Sequence, residues 1–280
     1  WAGFSAHLER TISAGLIPAV NMDTGSVQSL EADDRTHVLA LTGAACERFV
    51  AGACVVDSSQ DQLNVSAYQG RVAEISDAGG TPVIFPSWGL NRLDGEAWIQ
   101  VLAEITGGTD FIGFELGRQF VPYGRIYDLV TYRQLLTLPN CLGAKHSSLD
   151  RLQEWDRLRL RNEIRPDFQV LTGNDLAIDM VMYGSDYLLG LSSFAPELFA
   201  KRDKYWQEGN DAFYGLNDLL QYLGQFVFRA PVPSYKHSAA QFLKMCGTLE
   251  SDQCPPGINP RPESDLLILE DLAHRLELKS

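Results

Sequence analysis

Short, nearly continuous apolar runs alternate with amphipathic stretches along most of the chain. The runs fall at 16–21, 49–56, 82–85, 111–115, 141–144, 168–172 and 186–192. Runs of this length, apolar throughout, are what a sheet buried on both faces requires. The stretches between them carry apolar residues at helical spacing. Phe4, Leu8 and Ile12 share one face of 2–14, and Leu149, Leu152, Trp155 and Leu158 recur after the N-cap oxygens of Ser147 and Ser148. Further helices are expected over about 31–42, 61–77, 94–106 and 128–137, and after Gly173-Asn-Asp175 to about Tyr183. Gly15, Ala78-Gly79-Gly80, Gly107-Gly108, Arg165-Pro166 and Gly184 punctuate the pattern.

Repeated strand–helix units predict a parallel sheet. Nearly every strand exits into Gly, Asp, Thr or Ser, which favours a closed barrel over a doubly wound sheet. From about residue 196 the pattern is helical except for Pro-rich turns at 229–234 and 254–262. The expected fold is therefore α/β, a (β/α)8 TIM barrel over 1–195 with a C-terminal helical extension over 196–280 packed on it. Seven strands are visible, and closure needs eight, so a further strand is expected before Trp1.

Composition narrows the function classes. Of the 280 residues 45% are hydrophobic, enough for one large core. A net charge of −13 argues against a nucleic-acid surface. No apolar run reaches the length of a membrane span, and no signal peptide opens the sequence. Cysteines 46, 54, 141, 246 and 254 form no CxxC pair, which fits a reducing cytoplasm. Asn64-Val-Ser66 is a glycosylation-type triplet without meaning in such a compartment. The chain has no GxGxxG and no P-loop, so a nucleotide site has no support.

Candidate chemistry centres on Lys145, which follows the run 141–144. A lysine at the C-terminal end of a buried parallel strand sits where barrels keep their active sites. Partial desolvation there lowers the ammonium pKa and frees an amine to attack a carbonyl. The plainer alternative is a lysine that reaches solvent from a strand end.

Gly143-Ala-Lys-His-Ser-Ser148, Gly173-Asn-Asp175, the strand 186–192 and the tail Pro231-Val-Pro-Ser-Tyr-Lys236 resemble the dihydrodipicolinate synthase and N-acetylneuraminate lyase family, collinearly over nearly the whole chain. The resemblance implies a (β/α)8 barrel, a Schiff base between a barrel lysine and pyruvate or another 2-oxo acid, no metal or organic cofactor, and a homotetramer built as a dimer of dimers. Lys145 falls on the Schiff-base lysine. Met22-Asp-Thr-Gly-Ser26 falls on the family's Gly-Thr-Thr-Gly-Glu motif, so Asp23, Thr24 and Gly25 are expected at the substrate. Hydroxyl and amide donors on a tight turn suit a carboxylate. Gly173, Asp175, Leu189 and Gly190 are likewise expected to border the adduct.

The departures concern proton transfer. Asp23 and Ser26 replace the motif's first threonine and its glutamate. The family's usual tyrosine falls at Phe114 or Glu115, and neither is tyrosine. Ser87-Trp88 stands where synthases often have two tyrosines. Glu115, with its pKa raised by burial, is the expected acid/base in its place, with Tyr123 and Tyr127 as other candidates. His146 and Lys236 read as structural. The leading expectation is a class I lyase or aldolase acting next to a 2-oxo acid. Alternatives are dihydrodipicolinate synthase proper, a metal enzyme that gathers Glu115, His146 and Asp175 on Mg²⁺ or Mn²⁺, and a non-catalytic 2-oxo acid binder.

Overall fold

The computed structural model describes residues 1–279. In chain order the elements are α1 (Ala2–Ser13), β1 (Ala19–Val20), α2 (Ala32–Ala45), β2 (Val50–Ala53), α3 (Val65–Asp77), β3 (Thr81–Ile84), α4 (Gly95–Thr106) and β4 (Phe111–Leu116). They continue with α5 (Leu129–Leu135), β5 (Cys141–Ser147), α6 (Arg151–Ile164), β6 (Gln169–Thr172), β7 (Asp186–Tyr187), α7 (Pro196–Gln207), α8 (Ala212–Val227), α9 (Tyr235–Met245) and α10 (Asp265–Arg275). Several helices start where a side-chain oxygen takes up a free amide. Asn64 accepts from Ala67 N at 3.0 Å, Asp128 from Thr131 N at 2.7 Å and Asp150 from Leu152 N at 2.9 Å.

All seven strands are parallel and pair in sequential order, curling into a TIM-type barrel wall. Among the described residues no ladder joins β1 to β7. The turns that follow those two strands meet instead, for a Cβ on Gly190 would lie 2.9 Å from Thr24 Oγ1.

Four elements depart from the sequence pattern. The runs at 16–21 and 186–192 pair over two residues each, and loops then lead to the 3₁₀ segments Val27–Ser29 and Leu191–Ser193. The segment ending at Tyr183 is 3₁₀, Ile178–Tyr183, not α; it has no side-chain cap and closes at Gly184, whose φ of 98° is left-handed. β5 runs three residues past Ala144, because Lys145 and His146 still find ladder partners in Leu171 and Thr172. Lys145 is thus inside the strand.

Side-chain alternation sorts the strands into two faces. Phe111, Ala144, Phe168 and Val170 pack outward against the helices, in a cluster with Tyr68, Trp98 and Tyr132. Ile112, Phe114, Leu116 and Leu171 point inward and pack with Met22, Val83 and Phe85. A third cluster joins α7–α10 to Ile178, Leu189, Leu191 and Phe194, so the apolar seat of the extension begins before residue 196. Phe85 and Phe114 meet edge-to-face at 4.9 Å, worth about 1 kcal/mol beyond the area they bury. They form the floor under the lysine.

Candidate active site at the C-terminal mouth of the sheet

Lys145 stands opposite Phe114 on β4 and Leu171 on β6, both inward residues, so its side chain enters the barrel. It is 6% exposed, and its Nζ lies 4.7 Å from the centre of the Phe114 ring. Among the described residues it has neither an ion pair nor a hydrogen bond at Nζ. Burial pushes its pKa down, and the charges of Asp175 and Asp23 only partly restore it. Gly173 leaves room for the side chain: a Cβ there would lie 2.1 Å from Ser147 Oγ and 2.7 Å from Lys145 Cε.

Two carboxylates lie close enough for their charge to act on the amine. Asp175 follows β6, is buried, and accepts Leu191 N–H at 2.7 Å. Burial raises its pKa to about 7, against the lowering by the Leu191 amide and by Lys145. Asp23 follows β1 and is held from three sides, by Tyr235 OH at 2.9 Å, Lys236 Nζ at 3.1 Å and Gln28 Nε2 at 3.1 Å. Because the phenol donates to Asp23, the Thr24 hydroxyl, 3.1 Å away, donates to the phenol oxygen. Thr24, Asp23, Gly190 and Tyr235 therefore form one cluster on the rim. Leu189, just before Gly190, is buried against the extension. The structure brings together Lys145, Asp23, Thr24, Gly173, Asp175 and Gly190; Gly25 is exposed on the same turn.

Glu115 is not among them. It pairs with His146, the outward neighbour of Lys145, and so faces the helix layer. Its carboxylate is saturated there by His146 Nδ1 at 2.6 Å, Arg157 at 2.7 and 3.1 Å, and Tyr127 N at 3.0 Å. Burial pushes this carboxyl up, but His146 and Arg157 outweigh it and hold the pKa at about 2. Glu115 is thus ionised and on the wrong face, which corrects the expectation of a carboxyl poised beside Lys145. Glu115 and His146 also do not meet Asp175, and no described cluster of three His, Cys, Asp or Glu side chains has metal-site geometry. Tyr127 lies behind the sheet as well, with its hydroxyl on Phe114 O at 3.2 Å and its ring 4.2 Å from Trp98. Tyr123 does reach the mouth, stacked obliquely near Trp88 at 5.8 Å.

Tyr235 and the contact of Lys236 with Asp23 were not legible from the pattern. Both open α9, and the tail Pro231–Lys236 carries no periodic signal that separates a rim residue from a core one.

No family model and no curated protein matches the chain. Solved structures do. A monomeric dihydrodipicolinate synthase variant superposes with a TM-score of 0.82 at 18% identity, covering 99% of this chain and 91% of the other. YagE, an E. coli prophage protein of the dihydrodipicolinic acid synthase family in complex with pyruvate, gives 0.82 at 17% identity, covering 99% and 92%. KD(P)GA from T. tenax gives 0.75 at 15% identity, covering 99% and 93%. The fold of this chain is the fold of those proteins.

Proposed function

We propose that the protein is a class I aldolase or lyase, in which Lys145 forms a Schiff base with a 2-oxo acid. The carrying observation is an unpaired, buried lysine at the C-terminal mouth of a parallel barrel wall, with its pKa lowered by desolvation. Asp175, whose pKa is raised to about 7, takes the ammonium proton and leaves Nζ nucleophilic. The amine adds to the carbonyl carbon, and the proton stored on Asp175 departs with the carbonyl oxygen as water. The protonated imine that remains withdraws electrons from the adjacent carbon, so a C–C bond there forms or breaks through an enamine.

Thr24 and the amides of the 23–26 turn are suited to the acid's carboxylate, and the pyruvate seen in YagE supports that ligand class. The exposed aromatics Trp206, Tyr214 and Tyr222 on α7 and α8 support assembly into a homotetramer.

Borohydride reduction in the presence of pyruvate and a panel of 2-oxo sugar acids tests this reading, with peptide mapping by mass spectrometry. An adduct on Lys145, absent from Lys145→Arg, is expected. A panel without any Lys145 adduct overturns it. Trapping without turnover of any compound would instead favour a 2-oxo acid binder.

A further inference from the structure

We infer that Tyr235, supplied by the C-terminal extension, is the hydroxyl that relays protons between Lys145 and the substrate oxygen, with Asp23 as its acceptor. The inference rests on the Schiff-base reading above and concerns how that reaction moves its protons. Imine formation needs a group that takes a proton from nitrogen and returns one to oxygen. The inward position of β4 opposite Lys145 is Phe114, which has none to give. Glu115 and Tyr127 are behind the sheet.

Tyr235 is held rigidly and wired to two residues of the mouth, Thr24 and Asp23. Its ring is fixed by stacking on Phe228 at 4.3 Å, and Gly190 leaves the space it occupies, since a Cβ there would come within 3.4 Å of it. Its hydroxyl is the middle of a directed chain, accepting from Thr24 and donating to Asp23. Burial and the nearby Asp23 carboxylate hold the phenol pKa well above its usual value, so a free phenolate does not form. A relay avoids one, because a proton arrives at the phenol oxygen as the phenolic proton leaves for Asp23. Lys236 and Gln28 both donate to Asp23 Oδ1 and so fix the carboxylate with its other oxygen, Oδ2, on the phenol.

The steps balance. Thr24 turns its hydroxyl to the bound carboxylate and frees a lone pair on Tyr235. Neutral Nζ forms the C–N bond, leaving a positive nitrogen and a negative oxygen. The nitrogen proton passes to Tyr235 while the phenolic proton passes to Asp23. Both shifts then reverse toward the oxygen, giving the neutral carbinolamine with Tyr235 and Asp23 restored. The proton held by Asp175 completes the loss of water.

The test is the rate at which a borohydride-trappable Lys145 adduct forms with pyruvate, followed by rapid quench across pH. Tyr235→Phe keeps the ring and its stacking. It is expected to slow adduct formation by about 10²-fold or more, with the final extent at saturating pyruvate unchanged. Asp23→Asn is expected to slow it comparably, and it serves as the second variant if Tyr235→Phe folds poorly. Adduct formation within threefold of wild type in either folded variant overturns the inference and leaves the Schiff base standing. Slowing by Tyr123→Phe alone also overturns it. The absence of any Lys145 adduct on the wild-type protein removes the Schiff-base reading, and this inference with it.

Discussion

Asp175→Asn should reverse a pH-dependent loss of stability. The folded-state pKa of Asp175 is about 7, raised from 3.8 chiefly by burial. Below the lower value both folded and unfolded chains carry the proton, and the residue has no effect on pH dependence. Between the two values the folded chain holds a proton that the unfolded chain has released, so stability falls as pH rises. The span is about 3 units at 1.36 kcal/mol each, or about 4 kcal/mol as an upper figure. Asn retains an oxygen for the Leu191 amide but cannot ionise. Its amide group adds a constant cost of about 1–3 kcal/mol if left without a partner. That cost cancels when the variant is compared with wild type at two pH values. The difference in stability should therefore move by up to about 4 kcal/mol in favour of the variant between pH 4 and pH 8. In a domain of this size each kcal/mol shifts the melting temperature by about 2–4 °C, so thermal melts at several pH values suffice. Parallel curves for the two proteins would refute the assignment. The same variant should trap pyruvate more slowly, since the store for the ammonium proton is gone.

Other substitutions separate the two faces of the sheet. Glu115→Gln leaves Arg157 buried beside a neutral partner and should cost about 3–5 kcal/mol in urea unfolding. It should leave Lys145 trapping per folded molecule unchanged; a selective loss of trapping would return Glu115 to the mechanism. Gly173→Ala places a methyl 2.7 Å from Lys145 Cε. It should reduce trapping at least about tenfold, with reactivity toward a general amine reagent read in parallel to detect a displaced lysine.

The strands and the position of Lys145 were legible because strand-length apolar runs between helical stretches leave few other arrangements. Orientation was not. On the strand 111–115 a shift of one residue exchanges the two faces, and only the ladder Lys145–Phe114, Glu115–His146 decides between them. Glu115 looked available because nothing local reveals Arg157, a partner 42 residues further on. β1 and β7 are shorter than their apolar runs, since such a run does not encode how many of its residues find a partner. The Thr24–Tyr235 contact spans 211 residues. Such a pair is set by how the extension docks, which periodicity within either segment does not encode.

The brevity of β1 and β7 has a consequence for behaviour in a crowded solution. A long free rim with unpaired amides and carbonyls is a template on which another chain can add a strand. Here β1 and β7 offer two residues each before the backbone leaves into a loop that ends in a 3₁₀ segment. Gly190 and Thr24 lie together just beyond. Little straight backbone is therefore left at either end of the described sheet for a strand of a neighbouring molecule to zip onto.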